Sequence, residues 1–397
     1  MKTYIILTYS FFFFALFYQK TFCQVTEDVK FHTVYLDVLC TELEQNKDAL
    51  LLDVRSPGEY DDTSSIGSLN IGKFKNSVNI ETPKFEELFA KLNIPKDKRI
   101  YVYCSHSNRS RVCSSYLVEQ GYNNVYNVNG GLSEWVLESK NCENVIYTVN
   151  LKYKLYPPEK VLGLLTGNNV QLIDVRPKEE YASESTDEAR NVGRLKNSVN
   201  IPISELESRL SEIDKNKNVI LYDLDCRISP SAAKMLTEKG YNNIGIMIFG
   251  LNTWINGINP VNNNLIENPP SYKNLPFDES FKEILENKDL IILDVRPVVD
   301  YNNQNEMVMM RIGHLKNAIN IPASEFDNRI SEINGYKDKK ILVYDNLSTQ
   351  GKSAEVCKKL VQNGFKNVNN MYCGLYKINW SKKNIKEFNF PDEFIVN

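Results

Sequence analysis

Between residues 36 and 128 the apolar positions change their period several times. Over 36–44 they recur every three to four residues, which predicts an amphipathic helix. Over 50–54 they run unbroken, which predicts a buried strand. A short strand is predicted at 77–80 and a helix at 85–92, with Pro83 near its start. A second unbroken run at 99–103 predicts a strand. A helix follows over 110–120, closed by Gly121, and a last strand over 124–128. Strands alternating with helices imply a parallel sheet covered on both faces. Ligands in such sheets bind beyond the carboxyl ends of the strands. The run 99–103 ends on Cys104.

The same pattern returns twice. LLLDVRSPGEY begins at Leu50, QLIDVRPKEEY at Gln171 and IILDVRPVVDY at Ile291. Asp53, Asp174 and Asp294 are 121 and 120 residues apart, and Gly72, Gly193 and Gly313 each follow 19 residues later. Apolar runs, helical stretches, a glycine and then Trp135, Trp254 or Trp380 complete each copy. The period exceeds that of a solenoid repeat and predicts three tandem α/β domains, at 28–146, 147–268 and 269–390. The Asn- and Pro-rich stretch 258–276 reads as a linker.

Composition sharpens this picture in three places. A chain of 397 residues with 42% hydrophobic and 24% charged residues has material for several globular cores. A formal net charge of −3 offers no basic surface, so no nucleic-acid partner is expected. Residues 4–18, YIILTYSFFFFALFY, are uncharged, follow Lys2 and stop before Lys20. That layout predicts a secretory signal at 1–23, cut after Cys23, and a periplasmic or secreted protein. The run is short for a membrane span, so no stable span is expected. Lipid attachment at Cys23 is the alternative, and Lys20, Thr21 and Phe22 argue against it. Losing Lys2 and Lys20 takes the formal charge from −3 to −5. The eight cysteines contain no CxxC and there are three histidines, so no metal site is expected. Cys40 and Cys142 flank the first core and are the candidate disulfide pair.

Cys104 opens the stretch CSHSNRS. A thiolate attacks where a thiol hardly does, and a helix N-terminus or nearby cations lower a cysteine pKa. Ser105, His106, Ser107 and Asn108 are small or polar, so the chain can curl around the sulfur with its N–H groups inward. The helix after the loop adds its positive end, and Arg109 adds a full charge. Such a cradle suits a thiolate, a persulfide anion or a bound oxyanion. A phosphatase-type loop places arginine six residues after cysteine. Here the interval is five and Tyr103, not histidine, precedes Cys104, which argues against that chemistry.

All three copies resemble rhodanese (sulfurtransferase) domains, over nearly the whole chain beyond the signal. The family loop C-R-S-G-N-R-S is matched by Cys104, Ser105, His106, Ser107, Asn108, Arg109 and Ser110. The element GHxxxAxNIP is matched best by 313–322, GGxxxW by 130–135, and DVR…EY opens each copy. The resemblance implies that Cys104 takes a sulfane sulfur from a donor such as thiosulfate, becomes a persulfide and passes it to cyanide or a thiol. Ser105, His106, Ser107, Asn108, Arg109 and Ser110 would bind the substrate, with no cofactor. Ser107 departs from the family glycine, which matters if that position needs a positive φ. Each copy also carries extra residues between EY and its glycine, DDTSSIGSLN in the first, which could shape the pocket rim.

The other copies serve as controls. Asp223 and Asp345 stand where Cys104 stands, and a carboxylate cannot form a persulfide. Domains 2 and 3 are therefore expected to be inactive, enlarging the assembly or binding a partner. Arg55 and Glu59, Arg176 and Glu180, and Arg296 and Asp300 are each four apart, which suggests a salt bridge fixing the turn after the strand, with Asp53 structural too. Trp135, Trp254 and Trp380 are expected in the core. Arg109 and Arg111 face Gln350 and Lys352 in the third copy, a difference that ties them to the chemistry, although Arg111 is expected to point along the helix. Cys226 lies off the nucleophile position, and Cys113 reads as a small buried apolar residue. His106 reads as an exposed loop side chain, or as an imidazole near the incoming donor. The alternative for the whole chain is a non-catalytic binding or scaffold protein with a redox-sensitive Cys104.

Overall fold

The computed structural model describes residues 31–138, 146–256, 263–307, 310–347, 351–384 and 390–396. The expected signal at 1–23, Cys142, Gln350 and part of the expected linker 258–276 lie outside the described residues. Among the described residues no helix is long and apolar enough to cross a membrane.

The first sheet comprises β1 (His32–Val34), β2 (Leu50–Asp53), β3 (Val78–Asn79), β4 (Ile100–Tyr103) and β5 (Val125–Val128), in the order β1-β5-β4-β2-β3. Every neighbouring pair is parallel. Helices α1 (Leu36–Gln45), α2 (Phe85–Ala90), α3 (Asn108–Glu119) and α4 (Gly131–Leu137) connect and cover them. Side chains alternate along β4. Ile100, Val102 and then Cys104 join Leu52, Phe85, Phe89 and Leu117 in one apolar cluster. Tyr101 and Tyr103 face the other way, where Phe74 meets both Tyr103 and Trp135 edge-on. Cys104 thus continues a core-facing row.

The second sheet repeats this order with β6 (Lys154–Tyr156), β7 (Val170–Asp174), β8 (Val199–Asn200), β9 (Asn218–Tyr222) and β10 (Ile244–Met247). The third does so with β11 (Lys273–Leu275), β12 (Ile291–Asp294), β13 (Ile319–Asn320), β14 (Lys340–Tyr344) and β15 (Asn367–Met371). Helices α5 (Ser229–Glu238) and α6 (Gly250–Asn256) correspond to α3 and α4, as do α7 (Lys352–Gln362) and α8 (Gly374–Asn384). The first sheet lies in one compact unit and the other two share a second. In each domain the outgoing chain returns to form a two-residue antiparallel ribbon with the segment after the motif glycine. Lys73–Phe74 pairs with Tyr147–Thr148, Arg194–Leu195 with Ile266–Glu267, and His314–Leu315 with Ile395–Val396.

The DVR motif is explained by a buried ion pair, and the expected four-residue bridge is not formed. Arg55 wraps back on Asp53, with Nη2 2.7 Å from Oδ2, and donates also to Gly72 O at 2.7 Å. Arg176 and Arg296 do the same with Asp174 and Gly193 O, and with Asp294 and Gly313 O. Both partners are buried in every copy. Burial makes the two-residue partner decisive, because a charge left unpaired there would cost about 3–5 kcal/mol. Trp135 and Trp254 are buried as expected. Trp380 is a correction. Ile378 holds the position four residues after the helix glycine, so Trp380 is turned out, half-buried under the Lys377 ammonium at 4.1 Å.

In the second unit the extra residues of domain 2 meet domain 3. Glu188 accepts from Lys358 at 2.6 Å and from the Tyr272 hydroxyl at 3.4 Å. Tyr372 donates to Asn252 and closes over a pocket of about 60 Å³ that Asp187, Arg190, Asp225 and Arg227 also line. The mouth of domain 2's loop is thereby covered from within the same unit. In domain 1 two of the extra residues, Asp62 and Asn70, bind within their own unit. Asp62 accepts the Gly72 and Asn150 N–H groups at 2.8 and 2.7 Å. Asn70 binds both backbone groups of Ser64. Cys40 is disulfide-bonded, while the expected partner Cys142 lies outside the described residues.

Candidate active site

The register of β2 against β4 pairs Asp53 with Tyr103, so Cys104 is the first residue beyond the carboxyl end of the sheet. Asp174 pairs with Tyr222 and Asp294 with Tyr344 in the same way, which puts Asp223 and Asp345 at the position of Cys104. The loop that follows is shaped by the start of α4. Leu132 N–H donates to Cys104 O at 3.0 Å and Ser133 N–H to Ser105 O at 3.0 Å. In a planar trans peptide the N–H points opposite the carbonyl. The N–H groups of Ser105 and His106 therefore turn away from α4, into the loop. Gly131 makes this approach possible: it has φ +64°, and a Cβ there would lie 2.4 Å from Cys104 O.

Domains 2 and 3 show what such a loop holds. Leu251 and Leu375 N–H bind Asp223 O and Asp345 O, as Leu132 binds Cys104 O. The Asp223 carboxylate accepts N–H from Cys226 at 2.9 Å and Ile228 at 2.6 Å, and the Ser229 hydroxyl at 2.9 Å. Asp345 accepts Ser353 N–H at 3.0 Å. The loop is an anion nest whose donors converge on a carboxyl group. Burial pushes both carboxyls up to about 6 against the pull of these donors.

In domain 1 the nest contains a thiol. Cys104 Sγ lies 3.6 Å from Ser110 Oγ, which also bonds Ser107 O and Asn127 Oδ1. Ser110 matches Ser229 and Ser353, all three buried. Ser107 has φ +67°, the conformation for which the family glycine is suited, and its buried hydroxyl donates to Val128 O at 3.2 Å. Cys226 is its counterpart in domain 2, with φ +60° and its thiol on Met247 O. Burial raises the Cys226 pKa, so it is a loop-shaping residue and no displaced nucleophile. His106 and Asn108 are exposed on the rim and Ser105 is buried. The sulfur lies deeper than its loop position suggests, since Cys104 is only 1% exposed.

Arg109 sits beside the nest with its guanidinium committed to Glu59. Nη1 and Nη2 donate to Oε2 and Oε1 at 2.7 Å each, and Nη2 also reaches Ser105 Oγ at 3.1 Å. Ser56 caps the short helix Pro57–Tyr60 and donates to the same carboxylate through its backbone and hydroxyl. Burial alone would raise the Glu59 pKa, but Arg109 and Ser56 bring it to about 2. Burial also opposes the Arg109 charge, and Glu59 and Cys104 hold it above its ordinary value. Sequence spacing missed this link by assigning Glu59 to Arg55. Spacing held no signal for it, because the copies differ as well: Glu180 turns to Arg190 and Asp300 to Asn305 and Asn346, so the motif acid takes whatever partner each loop offers.

The alignment of the loops also changes. Asp345 is eight residues before Ser353, whereas Cys104 is six before Ser110. The third loop is two residues longer, so Lys352 and Ala354, not Gln350 and Lys352, match Arg109 and Arg111. Arg111 does not run along the helix either; its Nη2 donates to Asn129 Oδ1 at 2.7 Å at the end of β5. Cys113 is buried with its thiol 3.9 Å from Thr82 Oγ1, and burial pushes it up to about 12, unsuited to a resolving thiol.

Comparison with known proteins adds the family. The model of the rhodanese-like domain matches residues 39–138, 157–256 and 278–380. A tRNA uridine(34) hydroxylase of Hamiltonella defensa is 32% identical over 103 residues, 25% of this chain and 26% of that protein. An adenylyltransferase and sulfurtransferase of Meyerozyma guilliermondii is 34% identical over 94 residues, 24% of this chain and 22% of that protein. The chain thus spans about a quarter of the length of these curated relatives. A thiosulfate sulfurtransferase structure from Pseudomonas aeruginosa is 16% identical with a TM-score of 0.25, covering 86% of this chain and 66% of that one. With the family model matched across most of its length, this chain belongs to the rhodanese-like family and carries the family's domain three times over.

Proposed function

We propose that domain 1 is a sulfurtransferase in which Cys104 carries a sulfane sulfur from thiosulfate or a similar donor to cyanide or a thiol. The observation that carries this reading is the carboxylate nest of domain 2. The same loop, with the same carbonyls fixed by the next helix, binds an anion where Asp223 stands and presents a thiol where Cys104 stands. The Cys104 thiolate attacks the outer sulfur of thiosulfate, the S–S bond breaks, and its electron pair leaves on sulfite. The product is a persulfide anion, the charge for which the nest is built. Cyanide then attacks the outer sulfur, leaves as thiocyanate and returns the thiolate. Ser110 lies where Ser229 donates to the Asp223 carboxylate, and it donates likewise once sulfur is anionic. Ser105, Ser107 and Arg109 shape the nest, while the exposed His106 and Asn108 form the rim that must give way to the donor.

A non-catalytic binding role is the second reading, favoured by the 1% exposure of Cys104. One experiment separates the two. Treated with thiosulfate, the protein gains one sulfur, about 32 Da, on the Cys104 peptide, and thiocyanate appears when cyanide is added. Cys104→Ser abolishes both. Absence of the adduct with several sulfane donors sinks the transferase reading in favour of binding.

A further inference from the structure

We propose that Asn127 positions the Ser110 hydroxyl by turning its amide over when the Cys104 sulfur becomes anionic, so that domain 1 redirects one hydrogen according to the charge on its sulfur. This rests on the transfer chemistry proposed for Cys104, in which the sulfur is anionic as a thiolate and again as a persulfide. A serine hydroxyl has a single hydrogen to give. Around Ser110 Oγ, Asn127 Oδ1 lies at 2.7 Å, Ser107 O at 3.1 Å and Cys104 Sγ at 3.6 Å. With a thiol in the nest, donation runs away from the sulfur: S–H to Ser110 Oγ, and Oγ–H to Asn127 Oδ1. Once the thiol has given its proton to solvent, the sulfur needs the hydroxyl hydrogen for itself. If Asn127 then stayed as it is, two oxygens at 2.7 Å would face each other with no hydrogen between them. A half-turn of the amide about its last side-chain bond removes that clash. Nδ2–H then donates to Ser110 Oγ, and Oγ–H donates to the sulfur.

The surroundings leave this amide able to turn. Asn127 is fully buried, its Nδ2 meets no acceptor among the described residues, and its side chain is bonded there to Ser110 alone. The half-turn breaks no bond except the one it replaces, and it gives an idle buried donor a partner. The internal copies show the alternatives. Strand pairing sets Asn127, Ile246 and Asn370 beside Val102, Leu221 and Val343, the residues that stand two before Cys104, Asp223 and Asp345. In domain 2 the isoleucine does not compete for the hydrogen, and Ser229 donates directly to Asp223 at 2.9 Å. In domain 3 the asparagine is fixed from the neighbouring strand: Nδ2 donates to Asn274 Oδ1 at 2.8 Å, while Oδ1 is buried with no partner among the described residues. Domain 1 has Thr33, an exposed residue, where domain 3 has Asn274. Of the three copies, the one with the thiol has an amide hinged on the serine.

The test follows ionisation of Cys104 in the full chain by thiolate absorbance against pH, with Cys104→Ser as the blank, and it needs no sulfur donor. Asn127→Ile installs the residue that domain 2 carries. It removes the donor that supports Ser110 in the anionic state, so the titration midpoint is expected to rise by about half to one pH unit, the scale of one neutral hydrogen bond. In a Ser110→Ala background the same substitution is expected to move it no further. A midpoint that falls or stays overturns the inference, because an amide fixed with its oxygen on Ser110 only competes for the hydrogen, and deleting it favours the anion. The other ionisable groups that act on Cys104, namely Arg109, Arg111 and Cys113, are the same in both proteins. If Asn127→Ile does not fold, NMR of the unaltered protein decides. Contacts between the Asn127 amide hydrogens and Ser110 are expected above the midpoint and not below it, and their absence at both ends refutes the turn. The mass of the Cys104 peptide keeps the two readings apart. If the protein acquires sulfur from thiosulfate and the midpoint does not rise, only this inference falls. If it acquires none from several donors, the transferase reading falls whatever the midpoint does.

Discussion

Arg109 and Glu59 stand 50 residues apart in sequence and meet through two bonds of 2.7 Å. Glu59 touches no reacting atom, so its part in the chemistry is to position Arg109 and, through Ser105, the first turn of the nest. Glu59→Gln is expected to lower kcat for sulfur transfer about tenfold, the scale of one charge-assisted bond, with partial rescue by Glu59→Asp. Glu180→Gln, at the same place in domain 2, should leave transfer untouched. Unchanged kcat in Glu59→Gln would remove Glu59 from the machinery. At a pKa of about 2 the carboxylate stays charged through neutral and mildly acidic pH, so it adds no acid limb to the rate profile there. Ser107 was legible beforehand, because a loop that takes glycine in the family asks for positive φ. The partner of Glu59 was not, since spacing offers Arg55 and only burial shows that Arg55 is already taken by Asp53.

Among the elements, α4 matters more to the site than its seven residues suggest. Its first N–H groups bind the carbonyls of Cys104 and Ser105, and that contact turns the loop's own N–H groups inward. Gly131→Ala puts a methyl group 2.4 Å from Cys104 O at φ +64°. It should destabilise domain 1 by about 1–3 kcal/mol, and persulfide formation should fall with it. Gly250→Ala meets Asp223 O at the same 2.4 Å and is the control: a comparable loss of stability, measured by denaturant melts, with Cys104 chemistry intact. Persulfide formation surviving in Gly131→Ala would show that α4 does not set the nest. The helices and strands read from apolar period agree closely with those observed, 99–103 against Ile100–Tyr103 and 36–44 against Leu36–Gln45. The strand His32–Val34 gave no such signal, because only Val34 is buried and the strand exists through pairing with β5. Trp380 misled for a related reason: spacing from a glycine is fixed by the helix, and the core position fell two residues earlier on Ile378.

At the scale of the whole molecule the two units should answer pH differently. Asp223 and Asp345 are raised by burial to about 6, above the roughly 3.9 of an unfolded aspartate. The folded second unit then binds more protons between pH 4 and 6, so its stability falls as pH rises through that window. Each aspartate changes the stability by up to about 3 kcal/mol across it. Surface carboxylates such as Glu207 and Asp338 are lowered by their lysine partners, and Glu59 in the first unit by Arg109, while burial raises Asp62 there too. Scanning calorimetry should show the second unit's transition moving up from pH 7.5 to pH 5, and the shift shrinking in Asp223→Asn with Asp345→Asn. A transition indifferent to pH over that range would refute the assignment. The returning ribbons carry one more consequence. Lys75 N–H on Ile146 O, Lys196 on Leu265 O and Lys316 on Phe394 O latch each repeat with its own departing chain, beyond its last helix. The natural cut for excising the first module is therefore past Asn150, whose N–H still grips Asp62, and a shorter fragment would leave the bend at Gly72 unfastened.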